Sequence, residues 1–370
     1  MTSIESRRAE VATKLDLVRA RMAARGLDAI LLTTSANLAW VTAGGAAYIN
    51  TATDAGVAAV IITPDTATLI TDTIETPRLQ AEEGLGDLGL TFVTEPWYAR
   101  GSKAAELLRG QRAWGDDGST PTAPDFTTDL RDQRTHLHPN EVARYREIGA
   151  SAAAAMADAI RRVRPGMTEF EVAALLAAAA VTRGGLPIVN LVASDARIAA
   201  FRHPLPTDKT IERYVMLVLC LRRYGLIASI TRLAHFGPLP ADLQRRAVAV
   251  AQVEARMILG TQVGQTIGGM FALARTAYTE QGYPEAIEEH HQGGSTGYGS
   301  REVLARPDDP TPIALHQAFA WNPSVRGVKS EDTMLLGPTG PEILTAIDGW
   351  PTEEITSDGH TIARPLILER

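Results

Sequence analysis

The segment Glu289-His290-His291-Gln292-Gly293-Gly294-Ser295-Thr296-Gly297-Tyr298-Gly299-Ser300-Arg301-Glu302 constrains this chain more than any other. Two adjacent imidazoles, four glycines and an Arg-Glu pair share fourteen residues, a mixture that few packing needs call for. Glycine lets backbone approach backbone or ligand closely. Histidine supplies proton transfer near neutral pH or a metal ligand, and arginine offers a fork that fits a carboxylate. The plain alternative is a glycine-rich loop with two solvated histidines. Against it stands a second polar run inside apolar sequence, where Ala318-Phe319-Ala320-Trp321-Asn322-Pro323 is followed by Gly327-Val328-Lys329-Ser330-Glu331-Asp332-Thr333.

A chain of 370 residues with 45% hydrophobic content can bury a large core, and its length favours two domains. The net charge of -7 comes without a basic block, which argues against nucleic acid as a partner. A single cysteine, Cys220, excludes an internal disulfide framework and points to a reducing compartment. No apolar run approaches the roughly 20 residues of a membrane span, and residues 1–8 are not followed by a hydrophobic leader, so a soluble cytoplasmic protein is expected.

Along the chain, Val11, Leu15, Val18 and Met22 repeat at helical spacing, and Gly26 is placed to end that helix. Aliphatic runs at 28–32, 57–62 and 67–70 read as strands, with helix near 102–109, giving an α/β domain. The segment 40–50, Trp-Val-Thr-Ala-Gly-Gly-Ala-Ala-Tyr-Ile-Asn, is too polar and kinked for a core strand. A second domain begins with an alanine-rich helix from Asn140 to Arg164, broken at Pro165-Gly166. Thr168-Glu169-Phe170-Glu171 has the form of a capping box. Strands are expected at 188–193 and 215–220 and helices at 238–260 and 266–280, with strand and loop after Tyr283.

Several motifs, in order, carry a family resemblance: Arg202-His203-Pro204, an aliphatic strand, the context Gly225 to Arg232, the His-Gly stretch, Trp321-Asn322-Pro323, and Lys329 to Thr333. The order resembles the superfamily of creatinase, prolidase and aminopeptidase P. The resemblance implies an α/β (α+β) fold: a small N-terminal creatinase-like α/β domain, residues 1–137, and a pita-bread domain with a curved antiparallel sheet, residues 138–370. It also implies a homodimer in which the N-terminal domain of one chain covers its partner's pocket, with the loop at 46–50 and Tyr48 as the candidate cover.

Metallopeptidases of this superfamily hold two metal ions with two aspartates, a histidine and two glutamates. Carried onto this chain, those places fall on Val218 (or Leu219), Ser229, His290, Asn322 and Glu331. Hard dications need several oxygen ligands and local negative charge. A valine, a hydroxyl, an imidazole, an amide and one carboxylate do not supply that for two ions, so the expectation is a metal-free member with no cofactor. A single ion between His290 and Glu331 stays open.

Creatinase, which lacks the metal carboxylates too, offers the closer precedent. By that resemblance His203 is the proton-transfer group and Arg301 a carboxylate clamp, while Asn322 and Ile230-Thr231 stand at places where creatinase grips guanidinium, so creatine is not the expected substrate. The expected catalytic residues are His203, His290 and Glu331. Arg301, Asn322, His291, Lys329 and Tyr48 are the expected substrate-binding residues. The activity expected is metal-independent hydrolysis, or elimination, at a C–N or similar bond of a small polar molecule bearing a carboxylate. The alternatives are a metal-dependent Xaa-Pro aminopeptidase or prolidase, and a non-catalytic pita-bread binding protein. Each residue has a structural reading: His203 as a surface turn residue, Lys329 and Glu331 as a buried ion pair, Trp321 as core.

Overall fold

The structure, a computed structural model, describes residues 3–120, 123–357 and 359–370. Met1 and Thr2, part of the N-terminal opening, lie outside these residues, as does Asp358. Two compact units form, one of residues 1–144 with 224–226 and one of 145–223 with 227–370.

The first unit opens with the helix Ile4–Arg25. Ser3 caps it by accepting from the Ser6 N–H, and Gly26, at φ 64, ends it in the left-handed conformation that costs glycine little. Its buried face is not purely apolar, because Glu10 and Lys14 lie beside Val11, Leu15, Val18 and Met22. They are tolerated there through pairing: Lys14 Nζ lies 2.6 Å from Glu10 and 2.7 Å from Glu141, and Arg144 also bonds Glu10. The five-stranded sheet runs in the order Thr91–Glu95, Ala67–Asp72, Ala55–Ile62, Ala29–Thr34, Trp114–Asp116, mixing parallel and antiparallel pairs. Trp40 and Val41 finish the helix Ser35–Val41, and the kinked segment begins only after them.

In the second unit the helix Glu169–Val181 starts with the expected capping box between Thr168 and Glu171. Helices Ala241–Gly260 and Ile267–Glu280 follow. Strands Leu186–Ser194, Tyr214–Arg223 and Leu226–His235 form one sheet, the last two turning over at Tyr224-Gly225. Leu368–Glu369 joins that sheet as a parallel edge, an exception to the antiparallel expectation. The other main sheet orders Val303–Leu304, Gly293–Thr296, Ala318–Trp321, Asp332–Gly337 and Gly340–Ile343, all antiparallel. A bridge between Thr231 and Glu331 ties the two sheets together.

Trp321 is wholly buried, stacked on Phe319 at 5.6 Å, and its indole N–H donates to Thr261 Oγ1 at 2.9 Å, so it belongs to the core. The stretch after Tyr283 contains one helical turn, Ala286–Glu289, too short to show a period in sequence. Among the described residues no helix is long and apolar enough to cross a membrane.

Candidate active site

The glycines of the organising segment have a steric cause. Gly293 sits at φ 98, and a Cβ on it would lie 2.1 Å from the Ala320 carbonyl oxygen. Only glycine lets the strand Gly293–Thr296 lie this close to Ala318–Trp321. The close pairing brings His290 and His291, just before that strand, beside Asn322, just after its neighbour, whose N–H donates to the Gln292 carbonyl at 3.2 Å.

A cavity of about 300 Å³ opens here, lined by Val189, Leu191, His203, Val218, Cys220, His291, Ser300, Arg301, Asn322, Lys329 and Glu331. A larger hollow of about 480 Å³ in the first unit is walled by Leu31, Ala104, Leu108 and Trp114 and gathers no comparable set of polar groups.

Alternation along the extended segment Val328 to Asp332 sorts its charges. Lys329 and Glu331 face the cavity, while Ser330 and Asp332 turn into a buried network, with Ser330 on Glu254 and Asp332 on Arg232 and Arg364. Glu331 is 2% exposed and fully engaged: Lys329 Nζ and Arg301 Nη2 each lie at 2.8 Å, and Thr231 Oγ1 donates at 2.7 Å. Burial works to raise its pKa, but Lys329 and Arg301 outweigh burial and hold the carboxyl well below the usual range. Glu331, expected among the catalytic residues, is thus a carboxylate already occupied by the protein's own cations. Arg301 divides its fork between Glu331 and the Ser300 carbonyl, leaving Nε without a partner.

The imidazoles converge from distant segments. His203, on an exposed loop after the helix Ala196–Ala200, places Nε2 3.1 Å from Nε2 of His290, 87 positions along. His290 and His291 stack at 4.4 Å, and the His203 ring lies 5.0 Å from the first and 5.6 Å from the second. Burial, helped by the Lys329 charge, lowers His290 to about 2. Burial and Arg301 lower His291 to about 4, and burial followed by Lys329 also lowers His203. All three are neutral at pH 7. In the 3.1 Å contact, one ring donates its proton to the other.

The structure thus brings together His203, His290, His291, Arg301, Asn322, Lys329 and Glu331. Tyr48 belongs to the first unit, where its carbonyl accepts from Arg78, and it does not line this cavity. Sequence reasoning missed Thr231 as a holder of Glu331, although it stands in the Thr-Arg of the motif, and missed the apolar wall of Val189 and Leu191, which carries no sequence signal. Asn322 lines the cavity, and its Oδ1 is buried without a hydrogen-bond partner.

The five places of a dinuclear centre can now be tested. Val218 and Cys220 face the cavity while Leu219, buried at 0%, does not line it, so Val218 rather than Leu219 takes the first ligand's place. Ser229 is fully buried, its hydroxyl 3.2 Å from Cys220 Sγ. With Asn322 in a third place and Glu331 neutralised by two cations, this donor set does not fit two hard dications.

Residues 143–338 match the family model described as Metallopeptidase family M24, and residues 14–122 match that of the Creatinase/Prolidase N-terminal domain. No curated protein matches the sequence. Among solved structures, the prolidase from Pyrococcus horikoshii superposes with TM-score 0.79 at 21% identity, covering 91% of this chain and 99% of its own. The Xaa-Pro dipeptidase from Bacillus anthracis gives 0.77 at 22% identity, covering 97% and 100%. The N-terminal domain of a FACT complex subunit from Cicer arietinum gives 0.68 at 10% identity, covering 92% and 96%. The M24 match spans more than half of the chain, so the protein is a member of metallopeptidase family M24, with a creatinase-type N-terminal domain and a pita-bread C-terminal domain.

Proposed function

We propose that this M24 member hydrolyses a C–N or similar bond in a small carboxylate-bearing molecule, and does so without the paired metal ions. The supporting observation is one cavity in which Arg301, Lys329, His203 and His291 meet a single carboxylate, Glu331, with His290 packed against both imidazoles. With two cations against one anion, the pocket favours an anionic substrate end. Glu331 keeps Lys329 and Arg301 in place to receive it. Val189, Leu191 and Val218 hold the apolar body, with Asn322 at its side. His203 takes the proton from the attacking water, with His290 orienting its ring at 3.1 Å. Elimination would use the same groups, with His203 removing a substrate proton.

The family membership and the prolidases among the similar structures favour a second reading, metal-dependent hydrolysis of Xaa-Pro dipeptides. In this chain such a reaction lacks the carboxylates of the paired centre. The creatinase resemblance further supports a homodimer whose loop at 46–50 covers the partner's pocket, and the single cysteine a cytoplasmic setting. A monomer in light scattering at micromolar concentration would remove that part.

The deciding experiment assays chelator-treated protein against N-acyl amino acids, small amides and Xaa-Pro dipeptides, with and without Mn²⁺. Turnover that persists in chelator supports the first reading. Turnover of Xaa-Pro substrates only with added Mn²⁺ establishes the second, and substrate binding without turnover in either condition marks a binding module.

A further inference from the structure

We propose that His203, His290 and His291 form a site for a single zinc-type transition-metal ion, and that its occupation switches off the metal-free reaction. The second half rests on His203 as the proton-transfer group; the first does not. One potential ligand atom from each imidazole lies within 4.8 Å of the other two. Nitrogens bound tetrahedrally to zinc at about 2.0–2.1 Å stand about 3.4 Å apart. The His203 and His290 Nε2 atoms, 3.1 Å apart, are already close to that spacing. His203 sits on an exposed loop and His291 is half-buried, so small side-chain rotations can close the rest of the set.

The site departs from the dinuclear pattern in donor type. Three imidazoles and no free carboxylate select borderline ions such as Zn²⁺, Co²⁺ or Ni²⁺ over Mn²⁺ and Mg²⁺, which want oxygen. Glu331, the cavity's acid, is held by Lys329, Arg301 and Thr231. Lys329 and Arg301 lie close enough to repel a dication, so the fourth position suits an anion such as hydroxide or the substrate's carboxylate. Each imidazole lends one lone pair. The proton shared between His203 and His290 moves to the far nitrogen of its ring, and no proton need leave. An imidazole whose lone pair is on a metal can no longer accept a proton from water, which is why occupation stops the reaction assigned to His203.

The test titrates the full-length, chelator-stripped and desalted protein with Co²⁺, following visible absorption, and with Zn²⁺ by calorimetry. The expected result is one ion per chain, displaced by neither Mn²⁺ nor Mg²⁺. His203→Ala, His290→Ala and His291→Ala should each weaken Zn²⁺ binding at least tenfold, since losing an outer partner of a metal ligand alone costs about 10–100-fold. His203→Ala, altered on an exposed loop, is the variant that keeps its fold, checked by its melting curve. No binding at 100 µM Zn²⁺, about 100 times a micromolar Kd, two ions per chain, or undiminished affinity in the folded His203→Ala protein overturns the site. If the site is confirmed and Zn²⁺ abolishes turnover reversibly, both halves stand. If Zn²⁺ binds there and raises turnover, the metal site stands and the metal-free reading of the reaction falls.

Discussion

Replacing Glu331 by Gln removes one negative charge from a place where two cations depend on it. Lys329 is 6% exposed and Arg301 has 14% of its side chain exposed, each 2.8 Å from the carboxylate. Breaking a buried ion pair by deleting one partner costs about 3–5 kcal/mol, because the remaining charge stays desolvated. Lys329 carries most of that cost. Arg301 reaches water in part and adds about 0–1 kcal/mol. Thr231 keeps its hydrogen bond through the amide oxygen of Gln. Glu331→Gln should therefore destabilise the protein by about 3–4 kcal/mol. Removing the stranded charge as well, in Lys329→Met with Glu331→Gln, should recover about 2 kcal/mol relative to the sum of the single changes. Urea unfolding of wild type, both single variants and the double, at pH 7 in chelator, measures the cycle. A Glu331→Gln cost below about 1 kcal/mol, or simple additivity in the double variant, refutes the claim that this carboxylate serves the two cations. A Glu331 that acted as a metal ligand would instead give wild type a Mn²⁺-dependent stabilisation that the variant lacks.

Acid should destabilise the fold before any carboxylate titrates. His290, lowered to about 2 by burial and Lys329, stays neutral in the folded protein while the unfolded imidazole charges below about 6.5. The unfolded state then binds more protons, so the stabilisation present above about 6.5 is lost as pH falls, by about 2 kcal/mol between pH 7 and 5 for this residue. Urea midpoints in chelator should show that loss, and in His290→Gln the total loss should shrink by about that amount, the remainder coming from His291 and His203, whose pKa values are lowered as well. Arg364→Met should cost about 3 kcal/mol in the same assay, because it strands Glu254 at 0% exposure, while Asp332 keeps its ion pair with Arg232. In kinetics, His203→Ala should remove turnover with the melting temperature kept, whereas Arg301→Ala should weaken substrate binding about tenfold or somewhat more, the worth of a charged hydrogen bond. Equal kcat and KM in either variant would separate that residue from the reaction.

The fold was legible because its markers are local. The Thr168 capping box, the Gly26 stop and the period of Val11, Leu15, Val18 and Met22 act within one or two turns of chain, and the motif order from Arg202 to Thr333 is written along it. The loss of carboxylates from the ligand places was equally plain, since an aliphatic side chain cannot become a ligand in any fold. What each polar residue faces was not legible, because that depends on separations the chain closes only in space. Whether Val218 or Leu219 meets the cavity turned on strand alternation within a particular sheet. Glu331 found its partners in Arg301, 30 positions away, and Thr231, 100 away. His203 and His290 come within 3.1 Å across 87 positions, and Ser330 and Asp332 turn from the site toward Glu254 and Arg364. Sequence determined which chemical groups this chain has and which it lacks. The tertiary structure alone decided which of them share one desolvated volume, where charge pairing and proton position depend on distances of a few ångströms.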